Sequence, residues 1–237
     1  MVLKEKKKNG SITKLNSILH KKFHRVNNRI TDAVNIIQRE SIAIELMGKA
    51  LKEEPLKSEF IKALHLIEKV SGRGKLVVSG MGKSFHVARK IATTIASMGS
   101  STFFVHPGEA AHGDLGMLNK KDAVLLLSNS GDTTELLPII TYCKEFKIPL
   151  MCMTRNEDGI LAKSSDIKLI LPNIEEVCRI GKVPTTSTTM MMVFGDALAI
   201  VSGDRLKFDM KKYKHFHPGG AIGASVRNRL DELSDQK

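Results

Sequence analysis

The sequence contains no tryptophan, only two tyrosines and only three cysteines. Three scattered cysteines without a CxxC pair are too few for a disulfide scaffold and are typical of a protein from a reducing compartment. Aromatic residues make up 5% of the chain, and no interleaved aromatic and basic stripe is present on which nucleic-acid bases would stack. No apolar run reaches the roughly 18 to 20 residues that span a bilayer, and no secretory signal opens the chain. We therefore expect a soluble, cytoplasmic protein with neither membrane nor nucleic-acid partners.

The positive charge of the chain is concentrated at its amino terminus. The formal net charge is +12, and residues 1 to 25 contain eight Lys or Arg residues but one acidic residue, Glu5. Such a segment is typical of a solvated, flexible tail. Nucleic-acid binding through it is an alternative that rests on charge alone. We predict a basic flexible segment at residues 1–26 and one α/β domain, including its N-terminal helices, over residues 27–237.

Short apolar runs alternate with helical stretches through the body of the chain. Apolar residues at helical spacing predict two helices before the first strand, one from Ile30 to Leu51 and one from Phe60 to Val70. Five continuous apolar runs then indicate strands buried on both faces, joined by segments long enough for crossover helices. We predict a three-layer, doubly wound parallel sheet, which binds ligands beyond the carboxyl ends of its strands. The runs are Leu76–Val78, Thr102–Val105, Ala123–Leu127, Leu150–Met153 and Ile167–Leu171.

Two strand-to-helix turns have the composition of phosphate sites. The turn Gly80–Ser84 combines glycines, which let a ligand approach the backbone, with Lys83 at a helix start. The turn Ser128–Thr134 carries a dense set of hydroxyl groups before another helix. Tight packing is the alternative for the first turn, and an elaborate helix cap is the alternative for the second. One cap explains Asp132 or Thr133 but not the three polar residues before them, so we favour phosphate binding at the second turn.

A third strand end is followed by Glu109, His112 and Asp114, a carboxylate, an imidazole and a second carboxylate. Histidines at 106 and 112, or at 215 and 217, are metal ligands by residue type. No thiol pair and no HExxH pattern frames either pair. We therefore expect no metal site.

The motifs of the chain also occur together, in the same order, in a known family. They are GMGKS from Gly80, FFVHPGEAAHGDLGM from Phe103, SNSGDTTE from Ser128, PTTSTT from Pro184, GDALA from Gly195 and HPGGAIG from His217. Over roughly residues 30 to 230 the chain resembles the arabinose 5-phosphate isomerases of the sugar isomerase (SIS) superfamily. The long second motif and the HPGG element are more specific to this group than the hydroxyl-rich turn.

The resemblance implies a five-stranded SIS fold and an aldose–ketose isomerase that interconverts D-ribulose 5-phosphate and D-arabinose 5-phosphate through an enediol. It implies a reaction without a cofactor, a homotetramer with sites near subunit interfaces, and a place in Kdo and lipopolysaccharide biosynthesis. The implied catalytic residues are Lys83, Glu135, Glu176 and His217. The implied contacts to the sugar phosphate are Gly82, Ser84, His112, Ser128, Asn129, Ser130 and Thr133.

An aldose–ketose isomerase moves a proton between adjacent carbons while negative charge develops on the carbonyl oxygen. Lys83 is suited to stabilise that oxygen, a carboxylate to transfer the proton, and His217 to open the sugar ring or to act as acid and base. Which glutamate takes the proton remains open between Glu135 and Glu176.

The chain departs from the family pattern in three places. It has EVCRIGKVP from Glu176 where the family has a sequence close to EACPLGLAP, which adds Arg179 and Lys182 beside Glu176. These cations are expected to favour the charged form of Glu176 or to contact phosphate, and a noncatalytic sugar-phosphate-binding regulator is the alternative function. Phe85 replaces a common glycine and is expected to narrow the pocket. Many members carry a pair of CBS domains after the SIS domain, and a chain that ends at Lys237 is expected to lack them.

Overall fold

Two helices lead into a regular alternation of strands and helices. The computed structural model describes residues 29–220 and 223–225, so the predicted basic segment at 1–26 lies outside the described residues. Within the described residues no helix is both long and apolar enough to cross a membrane. The elements are α1 (Arg29–Ala50), α2 (Leu56–Val70), β1 (Leu76–Gly80), α3 (Lys83–Ser97), β2 (Thr102–Phe104), α4 (Pro107–Ala110), β3 (Ala123–Leu127), α5 (Leu137–Phe146), β4 (Leu150–Thr154), α6 (Ile160–Ser164), β5 (Ile167–Ile170), α7 (Thr186–Arg205) and α8 (Met210–Phe216).

The five strands form one parallel sheet in the order β2-β1-β3-β4-β5. The chain moves from β1 to one side to form β2 and then crosses back to place β3 on the other side of β1. This reversal makes the crevice between the carboxyl ends of β1 and β3 a topological switch point, the usual ligand site of such sheets. The predicted doubly wound parallel sheet is confirmed.

The strands β1, β3 and β4 are buried along their whole length, which explains their continuous apolar sequences. Alternate side chains of β3 enter two separate clusters: Leu125 belongs to the cluster that includes residues of α1, α2, α3 and α7, whereas Leu126 belongs to the cluster that includes residues of α5 and α6. Full burial of each such side chain contributes about 1.5–3 kcal/mol. The three-layer arrangement therefore has a core on each face of the sheet.

Helix α7 runs parallel to α3 in a register fixed by close contacts. A Cβ added at Gly195 would lie 2.3 Å from a side-chain carbon of Ile91, and one at Gly203 would lie 2.5 Å from a side-chain carbon of Met98. Both contacts join residues that are separated by nearly the same number of positions in the sequence, as expected for two helices that run in the same direction. Extended back along both helices, the same register puts the first turn of α7 beside the first turn of α3, at the carboxyl edge of the sheet.

Helix α8 packs at the other end of α3. The ring of Phe208 lies against Gly99, and it also contacts the rings of Tyr213 and Phe216. Since α3 has 15 residues and is therefore about 22 Å long, α8 docks toward the amino edge of the sheet.

Candidate active site

The two predicted phosphate turns begin at the same level of the sheet. Gly80 pairs with Leu127 at the ends of β1 and β3, so the turns that follow them flank the switch-point crevice. A Cβ at Gly80 would lie 2.9 Å from the carbonyl oxygen of Leu127 and 3.0 Å from the backbone of Ser84. Only glycine allows this close approach of β1, β3 and the start of α3.

The turn after β3 is organised around the hydroxyl group of Ser128. This side chain is 3% exposed; its oxygen lies 2.7 Å from the hydroxyl oxygen of Thr133 and accepts a 3.1 Å hydrogen bond from the N–H of Gly131. Gly131 has φ +78°, and a Cβ there would crowd Thr154. Ser128 therefore shapes the turn from within, while Ser130 is exposed and Thr133 is half-buried.

Asn156 and Asp132 brace this turn against the segment after β4. The side-chain amide of Asn156 donates to the carbonyl oxygen of Ser130 at 2.8 Å. The carboxylate of Asp132 accepts the N–H of Ile160 at the start of α6 at 2.9 Å. Asp132 thus caps a neighbouring helix, and these hydrogen bonds connect the turn to the segment after β4.

Lys83 and Ser84 are the first two residues of α3. Gly82 occupies the cap position with φ +59° and has no side chain with which to cap this helix. The first N–H groups of a helix have no partner within the helix, so they suit an anion. Lys83 is exposed and Ser84 is half-buried, which places an ammonium group and a hydroxyl group at the same edge of the crevice.

Glu135 lies in a short 3₁₀ turn, Thr134–Leu136, directly after the hydroxyl-rich turn. Its side chain is exposed, and its carboxylate accepts a 3.1 Å hydrogen bond from the hydroxyl group of Thr134. Glu135 is thus free to meet a ligand in the crevice.

Glu176 has the opposite environment, because this residue is 8% exposed and its carboxylate is bound to the first turn of α7. One oxygen accepts the N–H groups of Thr185, at 2.8 Å, and Ser187, at 3.2 Å. The hydroxyl groups of the same two residues also donate to the carboxylate. Negative charge at a helix amino terminus is favourable. Since this turn lies beside the start of α3, Glu176 is near the Lys83 side of the crevice.

The added cations do not contact the Glu176 carboxylate. Arg179 lies 3.9 Å from the carboxylate of Asp32 in α1, and all hydrogen bonds found for the side chain of Glu176 come from Thr185 and Ser187 among the described residues. Arg179 is thus placed beside Asp32 in this conformation, and contact of Arg179 or Lys182 with the substrate phosphate stays a prediction.

Phe85 packs toward β2. Its ring meets the ring of His106 edge-on at 4.7 Å and that of Phe104 at 5.9 Å. His106 itself caps α4 by accepting the N–H of Gly108 at 3.2 Å.

The two remaining predicted histidines lie apart from each other. His112 is exposed in the loop after α4, and this segment of the chain follows the carboxyl end of β2. His217 ends α8, where its ring stacks on Tyr213 at 3.9 Å and its Nδ1 lies 3.1 Å from the carbonyl oxygen of Tyr213. Because α8 docks at the far end of α3, one chain does not bring His217 to the crevice.

Thr185 and Ser187 are site residues to which the sequence analysis gave no role. Their signal is the PTTSTT motif itself, in which hydroxyl residues precede and open a helix. The sequence does not reveal that the acceptor is a buried glutamate nine residues earlier rather than solvent or substrate. Within the described residues no three His, Cys, Asp or Glu side chains form a potential metal cluster.

The comparisons with known proteins agree with this geometry. A family model described as the SIS domain matches residues 69–201, more than half of the chain. The chain belongs to the SIS domain family. The matched segment contains both predicted phosphate turns, Glu135, Glu176 and most of α7.

Curated relatives of this SIS chain carry the name arabinose 5-phosphate isomerase KdsD. The relative from Yersinia pestis is 42% identical over 195 residues, which cover 82% of this chain and 59% of the relative. That from Escherichia coli K12 is 44% identical over 161 residues, which cover 68% of this chain and 49% of the relative. The SIS chain thus spans about half to three fifths of the length of these relatives.

Solved structures match the SIS chain over almost their whole length. A candidate phosphosugar isomerase involved in capsule formation from Bacteroides fragilis is 38% identical, with a TM-score of 0.74, and the match covers 80% of this chain and 97% of that one. An Escherichia coli CFT073 protein in complex with arabinose 5-phosphate is 37% identical, with a TM-score of 0.72, and the match covers 81% of this chain and 100% of that one.

Proposed function

We propose that this chain is an aldose–ketose isomerase that interconverts D-ribulose 5-phosphate and D-arabinose 5-phosphate through an enediol. The observation that carries the proposal is the likeness, at 37% identity and over that whole chain, to a protein solved with arabinose 5-phosphate. The identity of 42% to an arabinose 5-phosphate isomerase supports the same reaction.

In this proposal the switch-point crevice binds the phosphate with neutral donors. The exposed hydroxyl of Ser130, the half-buried hydroxyls of Thr133 and Ser84, the side chain of Asn129 and the free N–H groups at the start of α3 surround it. Ser128 holds the turn in shape, and Gly82 leaves the approach open. Binding energy from the remote phosphate then fixes the reacting carbons against the catalytic groups.

The catalytic steps follow from the charges at the crevice. The Lys83 ammonium stabilises the enediolate oxygen as negative charge develops there. One carboxylate, Glu135 or Glu176, removes the proton from one carbon and returns it to the neighbouring carbon. Each such acid–base group typically contributes about 10² to 10⁴ in rate. We assign no cofactor and no metal to the reaction.

We further propose that His112 contacts the sugar phosphate and that His217 serves the crevice of a neighbouring subunit. His217 lies at the end of α3 opposite Lys83, so its use in catalysis requires a neighbouring subunit. This requirement supports a homotetramer with sites near subunit interfaces. We also propose that the protein acts in the cytoplasm, in Kdo and lipopolysaccharide biosynthesis. We propose in addition that the chain is divided into a segment at 1–26 and a domain at 27–237.

A direct assay with D-ribulose 5-phosphate tests the activity. We expect D-arabinose 5-phosphate to form without an added cofactor or metal, and hexose 6-phosphates tested in parallel to turn over more slowly. A folded protein that binds the sugar phosphate, as judged by a raised melting temperature, yet forms no aldose at any pH would instead be a noncatalytic regulator.

A further inference from the structure

A cavity separate from the switch-point crevice lies at the opposite edge of the sheet, at the amino ends of the strands. It has a volume of about 520 Å³ and adjoins a cavity of about 580 Å³, with Leu66 and Pro149 lining both. Its walls come from the end of α2, the loop before β1 and the loop before β3. The cavity therefore faces the amino ends of the strands, and no step proposed above uses it.

Cationic side chains line this amino-edge cavity. The cationic side chains that line the 520 Å³ cavity are exposed. Within the described residues, the charged groups of these side chains have no ion pair and no side-chain hydrogen bond. The adjoining cavity adds Lys144 and Lys147, with Asp166 as its carboxylate. The four cations of the 520 Å³ cavity are Lys69, Arg73, Lys120 and Lys121.

Among the described residues that line the 520 Å³ cavity, the one carboxylate, that of Asp122, is engaged within the protein. Asp122 is 1% exposed and accepts the N–H groups of Lys75, at 2.8 Å, and Asn119, at 2.9 Å. These hydrogen bonds also tie together the two loops that carry the cations. Positive charge at the cavity mouth is therefore not neutralised by an exposed acid of the wall.

The loops that carry the cations are packed tightly against each other. A Cβ added at Gly74 would lie 2.1 Å from the carbonyl oxygen of Lys121, so the loop before β1 lies directly on the loop before β3. The N–H of Ala123 also donates to the carbonyl oxygen of Lys75 at 3.0 Å. The cations thus project from a rigid base, which lowers the entropic cost of gathering them around a ligand.

Helix-end chemistry explains only part of the cluster. Lys69 lies in the last turn of α2, where a cation is favoured by the helix dipole. Arg73, Lys120 and Lys121 lie in loops, so this effect does not account for them. The cavity floor includes Leu66, and none of the described residues that line the cavity has an aromatic ring on which a base would stack.

We propose that this amino-edge cavity binds a small polyanion of the polyphosphate class, at a site separate from the switch-point crevice. Four cations on a rigid, concave surface complement several closely spaced phosphate groups, and the arginine offers a planar pair of donors to one of them. The concave shape and the absence of aromatic lining favour a small ligand over a nucleic-acid strand. The proposal does not rest on the isomerase activity, because binding is measured without turnover.

Calorimetric titration of the full chain with inorganic tripolyphosphate tests the site. The titration is run without arabinose 5-phosphate and is then repeated at a saturating concentration of this sugar phosphate, which occupies the crevice. We expect Arg73→Ala combined with Lys121→Ala to weaken tripolyphosphate binding by about tenfold or more, since two charge-assisted contacts are lost. The matched control is Lys52→Ala combined with Lys57→Ala, which removes the same charge from exposed positions near the α1–α2 turn and is expected to change the affinity by less than about twofold.

A second pair from the same cavity, Lys69→Ala with Lys120→Ala, is expected to weaken binding similarly and makes the test independent of the folding of one variant. Three results would overturn the proposal. They are equal affinities for the cavity pairs and the control pair, complete displacement of tripolyphosphate by arabinose 5-phosphate, and tighter binding of a single-stranded oligonucleotide than of tripolyphosphate through the same residues.

Discussion

Glu135 and Glu176 occupy opposite environments, and paired glutamine variants separate their contributions. Glu176→Gln replaces a buried carboxylate that accepts donors from Thr185 and Ser187, so we expect a loss of about 1–3 kcal/mol in the free energy of unfolding together with lower kcat. Glu135→Gln changes an exposed side chain, so we expect stability within about 0.5 kcal/mol of the wild type.

Denaturant unfolding and steady-state kinetics measure the two effects. The glutamate that transfers the proton is the one whose glutamine variant lowers kcat by about 10² or more with little change in KM. If Glu176→Gln were as stable as the wild type, the carboxylate would not be anchoring the start of α7 as described.

The three cysteines are predicted to differ sharply in reactivity. Burial raises the pKa of the Cys143 thiol to about 12 and also raises the pKa of Cys152. Burial acts in the same direction at Cys178, but backbone N–H groups of the following loop, including Val183 and Lys182, outweigh it and lower its pKa.

Because the thiolate is the nucleophile, a lower pKa moves reactivity to lower pH. Iodoacetamide at about pH 7.5 should label Cys178 at least about tenfold faster than Cys143 or Cys152, as followed by peptide mass spectrometry. Equal labelling of the folded protein at all three positions would contradict this assignment.

At the residue scale the sequence predicts the polar turns better than it predicts the glutamates. The turn Ser128–Thr134 is predictable because its hydroxyl density exceeds what a cap requires. Glu176 has no local signal, since a glutamate in a polar loop is common and its burial depends on α7, which follows nine residues later. The division of the turn into an internal Ser128 and an outward Ser130 also depends on neighbouring strands.

The packing of α3 against α7 depends on the absence of a side chain at Gly195. A Cβ there would lie 2.3 Å from Ile91, so Gly195→Ala is expected to separate the helices and to cost about 1–3 kcal/mol in the free energy of unfolding. Gly48→Ala in α1 is the matched control, because nothing lies within 4 Å of the added Cβ and alanine favours the helix by about 0.5–1 kcal/mol.

Chemical denaturation is expected to show a lower free energy of unfolding than the wild type for Gly195→Ala and a higher one for Gly48→Ala. The start of α7 anchors Glu176 beside α3, so Gly195→Ala should also lower kcat, whereas Gly48→Ala should not. Equal stability of both variants would show that the close packing of the two helices is not needed.

At the element scale the apolar runs predict all five strands to within two residues, because buried parallel strands need continuous apolar sequence. The end of α7 is harder to predict, because the helix continues to Arg205 through Ser202 and Gly203. Gly203 is a poor helix former, but its packing on Met98 keeps it in the helix. Helix α8 is missed because seven mostly polar residues show no apolar period.

At the scale of the whole molecule, we propose that His217 and Lys83 of one crevice come from different subunits. Lys83→Ala and His217→Ala are each expected to be nearly inactive alone. Mixed in equal amounts and reassembled, they should regain about a quarter of wild-type activity, because a random pairing supplies both intact residues to about one site in four.

The control mixture combines Lys83→Ala with Glu176→Gln, whose altered residues lie at the same edge of one subunit. If Lys83 and Glu176 of one crevice come from the same chain, no mixed site contains both intact residues. The mixture should then show no more activity than the average of the two variants assayed alone. Complementation in the control, or none in the Lys83 and His217 mixture, would contradict the arrangement.

The most direct test of the central claim is proton exchange during turnover of D-arabinose 5-phosphate in heavy water, followed by NMR. An enediol mechanism requires a proton to leave C2 of the aldose, so we predict deuterium at C2 of the remaining aldose or at C1 of the ketose product. Tight binding of the sugar phosphate with neither exchange nor ketose formation would contradict the isomerase account.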